Sequence, residues 1–366
     1  MEKNIYSRAD IDALFKKALQ LSSDRQYEEA AEEMLRVFKW RIENLGADDH
    51  DTLEVMHAVA YISNILENHS EALDLYEKLY ELRKNKLGER HRDSLMTLHN
   101  IAFTYEKLGE YNRAAELFRE VLKIKEETVG YEDIETLQTA DCLIHVYSNM
   151  KDGRSEIALR ERLYEIKLAS DGKIHFDPLE DLYDITEACN KYHFTLKARG
   201  YAKECFLLHV KELGISHKRT LKTLDMLSLA YIRLDEYKKS CSLDRVKYRA
   251  LAEKYGENDE RALRVLDGQA YTYFNFADYL KAKEIYESLC QRMRGIADLD
   301  PPFVASSEYY LARTYDALGE RAKAKEMMER SWRGMCDYYG EDYPDTVSVK
   351  EELDILIENI TLEDRT

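Results

Sequence analysis

Residues 88–130 read GERHRDSLMTLHNIAFTYEKLGEYNRAAELFREVLKIKEETVG, a stretch that opens and closes on glycines 42 residues apart. Apolar residues recur in it at helical spacing on both sides of a turn before Tyr111, which makes two amphipathic helices and a tight corner. One such pair cannot bury its own apolar face. It has to stack on neighbours.

The same step runs far beyond this stretch. Glycines fall at Gly46, Gly88, Gly130, Gly172, Gly214 and Gly256; the next register position is Asp298 and the one after is Gly340. Six residues past the glycine positions stand Thr52, Ser94, Thr136, Pro178, Thr220, Ala262 and Thr346, which read as helix starts. Thr and Ser cap a helix, and Pro suits its first turn. A small-residue column (Ala60, Ala102, Ser228, Ala270, Ala312) lies three residues before an aromatic one (Tyr105, Tyr147, Tyr231, Tyr273, Tyr315). A turn then precedes Tyr27, Tyr111, Tyr237 and Tyr279, with Ala30, Ala72, Ala114, Ala198, Ala282 and Ala324 beyond. Small residues let two helices approach, aromatics fill the space between pairs, and the glycine closes the second helix in a left-handed cap.

The expected architecture is all-α: a single solenoid over residues 1–366 with about eight antiparallel helix pairs. The pairs fall at 8–45, 50–88, 92–130, 134–172, 176–214, 218–256, 260–297 and 302–340, and a capping helix follows at 344–360. Asp354 occupies the small-residue position of that last helix, which marks it as having no close partner.

Composition narrows the function. Four prolines and 14 glycines are few for 366 residues, whereas 34% of the chain is charged, as long amphipathic helices require. The formal charge of −17 disfavours nucleic acid and anionic membrane surfaces and favours a neutral to basic protein or peptide partner. No stretch approaches a membrane span, and Met1–Asp10 lacks the apolar run of a signal peptide. The six cysteines show no CxxC spacing and read as reduced thiols of a cytoplasmic protein. His91-Arg92-Asp93 matches the protein-kinase catalytic triplet, but the Asn that loop needs five residues on is Leu98 here. No phosphate-binding, nucleophile-elbow or zinc-protease motif occurs, so the reading is of a non-enzyme with no cofactor and no metal.

The segment His99-Asn100-Ile101-Ala102-Phe103-Thr104-Tyr105, continued by Leu108-Gly109-Glu110-Tyr111 and Ala114, resembles the tetratricopeptide repeat in its 42-residue, kinesin light chain-like form. The resemblance covers essentially the whole chain. It implies a right-handed superhelix whose concave groove, lined by the first (A) helix of each pair, takes an extended or helical peptide. The heptad segment that recruits the kinesin heavy chain is missing, and of that family's asparagine ladder only Asn100 stands. The repeat type therefore carries over and the motor-adaptor role does not.

In such repeats three A-helix positions face the groove. The first column reads Phe15, His57, His99, Asp141, Tyr183, Asp225, Asp267 and Tyr309. The second reads Leu19, Tyr61, Phe103, His145, Glu187, Leu229, Tyr271 and Arg313, and the third includes Asn64, Glu106, Asn190, Ile232, Phe274 and Asp316. The expected peptide surface thus gathers His57, Tyr61, Asn64, His99, Asn100, Phe103, Asp141 and His145 toward the N-terminus. Toward the C-terminus it takes Tyr183, Asn190, Asp225, Arg264, Asp267, Tyr271, Tyr309 and Arg313. Aromatics supply flat contact area, amides hold main chain, and carboxylates take Lys or Arg. His57 and His99 on adjacent helices stand too far apart to share a zinc ion, and a pH-sensitive contact is the better reading of the pair.

The leading expectation is a scaffold or adaptor. The alternative is a peptide-gated sensor, similar to the bacterial pheromone receptors that use the same repeats. A substrate-binding subunit of an enzyme stands third, and self-association is left open.

Overall fold

The structure is a computed structural model that describes residues 6–170, 177–296 and 298–363. Among these residues there are 17 α-helices and no strand. The chain divides into two compact units, Met1–Pro178 and Leu179–Thr366. The first carries α1 (Arg8–Ser23), α2 (Tyr27–Leu45), α3 (His50–Ile65), α4 (His69–Leu87), α5 (Arg92–Lys107), α6 (Tyr111–Thr128), α7 (Ile134–Asn149) and α8 (Gly153–Ala169). The second carries α9 (Pro178–Lys191), α10 (Thr195–Leu213), α11 (Lys218–Arg233), α12 (Tyr237–Tyr255), α13 (Glu260–Asn275) and α14 (Tyr279–Met293). It ends with α15 (Pro301–Ala317), α16 (Arg321–Tyr339) and α17 (Pro344–Glu363). From α1 to α8, and again from α10 to α17, each helix packs on the next in sequence.

The packing follows the columns. Ala60, Ala102, Ala270 and Ala312 are fully buried, as are Ala30, Ala72, Ala114, Ala198, Ala282 and Ala324, small side chains that let the two helices of a pair pack closely. Tyr147, Tyr273 and Tyr315 are buried beside them. Tyr105 and Tyr315 keep their hydroxyls satisfied on carboxylates 28 residues back, Glu77 at 3.1 Å and Glu287 at 2.7 Å. Burying rings such as Tyr76, Phe118 and Tyr286 contributes about 1.5–3 kcal/mol each.

Two readings of the helix ends need correction. The Thr/Ser column does not cap the A helices. The caps are Asp49, His91, Asp133, His217 and Asp259, three residues after the glycines, whose side chains accept from the backbone N–H two residues on. Thr52, Ser94, Thr136, Thr220 and Thr346 sit one turn inside the helix and are fully buried. The glycines, in turn, have positive φ but not the left-handed helical ψ. Gly88 lies at φ +94°, ψ 158°, a region essentially reserved for glycine. Gly172 and the ends of the 134–172 and 260–297 pairs lie outside the described residues. Where Asp298 replaces the glycine, α14 stops early, at Met293.

A left-handed residue does occur, but at the other corner. Arg25, Glu67, Gly109, Lys151, His193, Asp235, Ala277 and Gly319 all have φ between 57° and 78°, at steps of 42 residues. At that corner the N–H of Asn68 bonds the Ser63 carbonyl and that of Glu67 the Asn64 carbonyl, at 2.9 and 3.2 Å, and the set recurs at the equivalent corners.

Candidate peptide-binding surface

The two units are taken separately. In the first, the A helices are tied to one another by polar side chains about one repeat apart. Asn64 Nδ2 donates to Thr104 Oγ1 at 2.7 Å, and Asn100 Nδ2 donates to His57 Nε2 at 2.9 Å. His99 Nδ1 lies 3.3 Å from Thr139 Oγ1, and His145 Nδ1 lies 2.6 Å from the buried carboxylate of Glu106. His57 and His99 turn inward: their rings meet Tyr76 and Phe118 edge-on, with centroids 5.7 and 5.1 Å apart. Burial drives both imidazoles down to about 4, helped by the neighbouring Arg83 and Lys125 cations. They are neutral at pH 7, as the bond from Asn100 to a bare His57 Nε2 requires. Tyr61 stands exposed, Phe103 is half-buried under the Lys107 ammonium at 4.8 Å, and Asp141 and His145 reach solvent. The structure thus separates the predicted residues into an inward pair and an outer group.

A device invisible in the sequence lies beneath. Arg41, Arg83, Lys125 and His209 are buried at one register of the B helices. Arg83 donates to the Asp93 carbonyl at 3.1 Å and to Thr97 Oγ1 at 2.8 Å. Lys125 does the same to the Glu135 carbonyl and Thr139 Oγ1, both at 3.2 Å. Arg83 and Lys125 thereby lock α4 to the start of α5 and α6 to the start of α7 with charge-assisted bonds.

In the second unit Asn190 is buried, and neither its amide nitrogen nor its amide oxygen has a partner, while its backbone carbonyl accepts from Arg233 at 2.6 Å. Lys222 sits 4.8 Å over the Tyr183 ring. Asp267 is held by Ser307 at 2.6 Å, and burial raises its carboxyl above the ordinary range. Arg264 is bound by Glu260 and Asp300, both at 2.7 Å. Tyr271 stacks edge-on against Tyr310 at 4.9 Å but keeps an exposed face. Tyr309 and Arg313 belong together: the Tyr309 hydroxyl donates to Glu352 of α17 at 2.8 Å, and Arg313 lies 3.9 Å from the same carboxylate. Asp225 pairs with Lys247 and borders a cavity of about 760 Å³ between α11, α12 and α13. Asp244, inside that cavity, has its carboxyl pushed up to about 6 by burial. Among the described residues no group of three His, Cys, Asp or Glu side chains is placed to hold a metal ion.

The second column separates from the other two by exposure. Leu19, Tyr61, Leu229 and Tyr271 are 45%, 51%, 39% and 40% exposed, although the apolar side chains beside them on the same helices are buried. Residues 58–127, from α3 to α6, match the family model of the tetratricopeptide repeat. That segment is made of tetratricopeptide repeats. The chain is also similar to solved structures, at low identity. BtubC (BKLC) from P. vanneervenii matches at 15% identity and a TM-score of 0.39 over 79% of this chain and 92% of that one. The quorum sensor NprR from B. thuringiensis, in its apo form, matches at 15% and 0.40 over 86% and 90%. The TPR2AB domain of yeast Sti1, in complex with pHSP90, matches at 13% and 0.31 over 96% and 98%. No curated protein sequence matches the chain. Sequence reasoning passed over the cavity of α11–α13. The signal for it was present, because Asp244 and Lys247 stand in helix-B columns that elsewhere in these tetratricopeptide repeats hold Tyr76 and Leu79.

Proposed function

We propose that this chain is a non-catalytic scaffold or adaptor that captures a protein or peptide on the inner face of its A helices. The observation that carries the reading is the exposed second column: Leu19 and Tyr61 in one unit, Leu229 and Tyr271 in the other. A helix face that keeps large apolar side chains in water at a fixed repeat position is a contact surface. The partner is neutral to basic, in keeping with the formal charge of −17. The setting is cytoplasmic, in keeping with six cysteines that show no CxxC spacing; no helix among the described residues is long and apolar enough to cross a membrane.

A displayed peptide library selected on the full chain tests this. Selected peptides should lose about tenfold or more in Kd against Tyr61→Ser or Tyr271→Ser, while those variants keep the wild-type melting temperature. Peptides bound equally well by both variants would refute the assignment of the surface.

A further inference from the structure

The interior around α12 is built differently from its equivalents. In α4, α6 and α14 an aromatic ring and an aliphatic side chain three residues apart fill the space between helices: Tyr76 and Leu79, Phe118 and Val121, Tyr286 and Leu289, all buried. At the same register α12 has Asp244 and Lys247. The facing A-helix position, His57 in α3 and His99 in α5, is Asp225 in α11, and Gly268 in α13 stands where Asn100 and Tyr310 stand elsewhere. Large side chains are thus withdrawn from three helices at one place, and the cavity of about 760 Å³ is what their withdrawal leaves.

The lining is amphipathic. Leu221, Ile232, Leu251 and Val265 form its apolar wall. Its cations are in excess. Lys247 is neutralised by Asp225, Arg264 by Glu260 and Asp300, and Arg261 by Asp259. Lys218, Lys222 and Lys254 also line the cavity, and none of the three has a carboxylate partner among the described residues. Lys254 donates only to the Ser216 carbonyl, at 3.3 Å. Against them stands one carboxylate without a cationic partner in contact, Asp244, which accepts from Ser228 Oγ at 3.4 Å. A cationic mouth over an apolar wall, in a chain of formal charge −17, is a local inversion of the overall field.

We propose that this cavity is a binding site for a small amphipathic organic anion. Its acidic group is held by Lys218, Lys222 and Lys254, its apolar body lies on Leu221, Ile232 and Val265, and a hydroxyl or amine donates to Asp244. The volume falls in the ~300–1,000 Å³ range of small-molecule pockets, and the cavity is confined to three consecutive helices instead of following the A-helix columns. The site does not depend on the peptide reading, although Asp225, Ile232 and Arg264 border both.

Anilinonaphthalene sulfonate, an aromatic anion that fluoresces on leaving water, is the probe, with the uncharged N-phenylnaphthylamine beside it. The full-length wild-type chain should bind the sulfonate saturably at a single site. Asp244→Tyr combined with Lys247→Leu restores the side chains of α4, fills the cavity and should weaken binding by about tenfold or more. Should that pair fail to fold by circular dichroism, Ile232→Trp fills the wall from the other side and is read the same way. Lys218→Glu with Lys254→Glu should weaken the sulfonate by about tenfold while leaving the uncharged probe nearly unchanged. Tyr61→Ser should change neither. Sulfonate binding that is unsaturable in the wild type, or equally tight in the filled variants, overturns the proposal.

Discussion

Gly88→Ala isolates the backbone conformation on which the repeat turns. Gly88 ends α4 at φ +94°, ψ 158°, and a methyl group added to its Cα meets nothing within 4 Å. No clash therefore enters the result, and the cost is that of holding an L-residue in a region essentially reserved for glycine, about 1–3 kcal/mol. Alanine also restricts the unfolded chain, which returns roughly 0.4–1 kcal/mol. The net expectation is a destabilisation of about 1–2 kcal/mol. Gly200 is the control. It lies inside α10 without positive φ, and its added methyl group also meets nothing within 4 Å. There the same substitution should stabilise by about 0.5–1 kcal/mol, because glycine is the poorer helix former. Urea unfolding followed by circular dichroism reads both from the midpoint at constant slope. Amide exchange of α4 and α5 localises the first effect, since stacked helix pairs share stability mainly with neighbours. Two variants shifted in the same direction would refute the reasoning.

Three further outcomes follow from the geometry. Ala277 is exposed with φ 57°, so Ala277→Gly should raise stability by about 0.5–1 kcal/mol in thermal unfolding: relief of the ~1–2 kcal/mol left-handed cost exceeds the entropy glycine adds to the unfolded chain. His57 and His99 have folded values near 4, below the unfolded 6.5. Their contribution is intact above pH 6.5 and is lost as pH falls toward 4, at about 1.4 kcal/mol per pH unit per ring. Urea midpoints between pH 7 and 5 should fall steeply in the wild type and less steeply in His57→Gln with His99→Gln, and parallel curves would refute the assignment. Arg83→Met keeps most of the buried volume but removes the charge-assisted bonds to Asp93 and Thr97, and should cost about 1.5–3 kcal/mol in the same assay.

The 42-residue register was legible because close approach leaves chemical traces: alanine where helices touch, tyrosine where gaps are filled, glycine where only glycine fits. The opposite corner left almost none. Six of its eight left-handed residues are not glycine, and that turn is held by backbone hydrogen bonds, which no side-chain alphabet records. The A-helix caps were misplaced by one turn for a related reason. Aspartate and histidine at the true cap are ordinary surface residues to the eye, whereas the Thr/Ser column is conspicuous although it is fully buried. On the candidate surface, the column that stays exposed looked no different from the column whose histidines turn inward, because both mix aromatic and polar residues. What separates them is the ring waiting on the B helix, Tyr76 under His57 and Phe118 under His99, a contact between columns 19 residues apart. The buried cations were hidden in the same way, since Arg83 and Lys125 resemble the many lysines and arginines of solvated helix faces.

Why a helix pair would surrender its aromatic filler for Asp244 and Lys247 follows from how a stack distributes stability. In a single globular core, two half-buried charged side chains in place of a ring and an aliphatic chain would weaken every contact around them. In a stack each pair answers only to its neighbours, so the loss stays near α11–α13. The buried apolar cluster there is small, Leu251, Ala262 and Val265, with Leu221 and Tyr248 packed against it. The next one along, from Cys241 and α13 through α17, is extensive, with Tyr286, Leu311, Met328 and Leu353 among its members. A locally thin core beside a well-filled one is what a binding cavity in a repeat protein requires: the neighbours hold the frame, and the depleted pair keeps room for a guest.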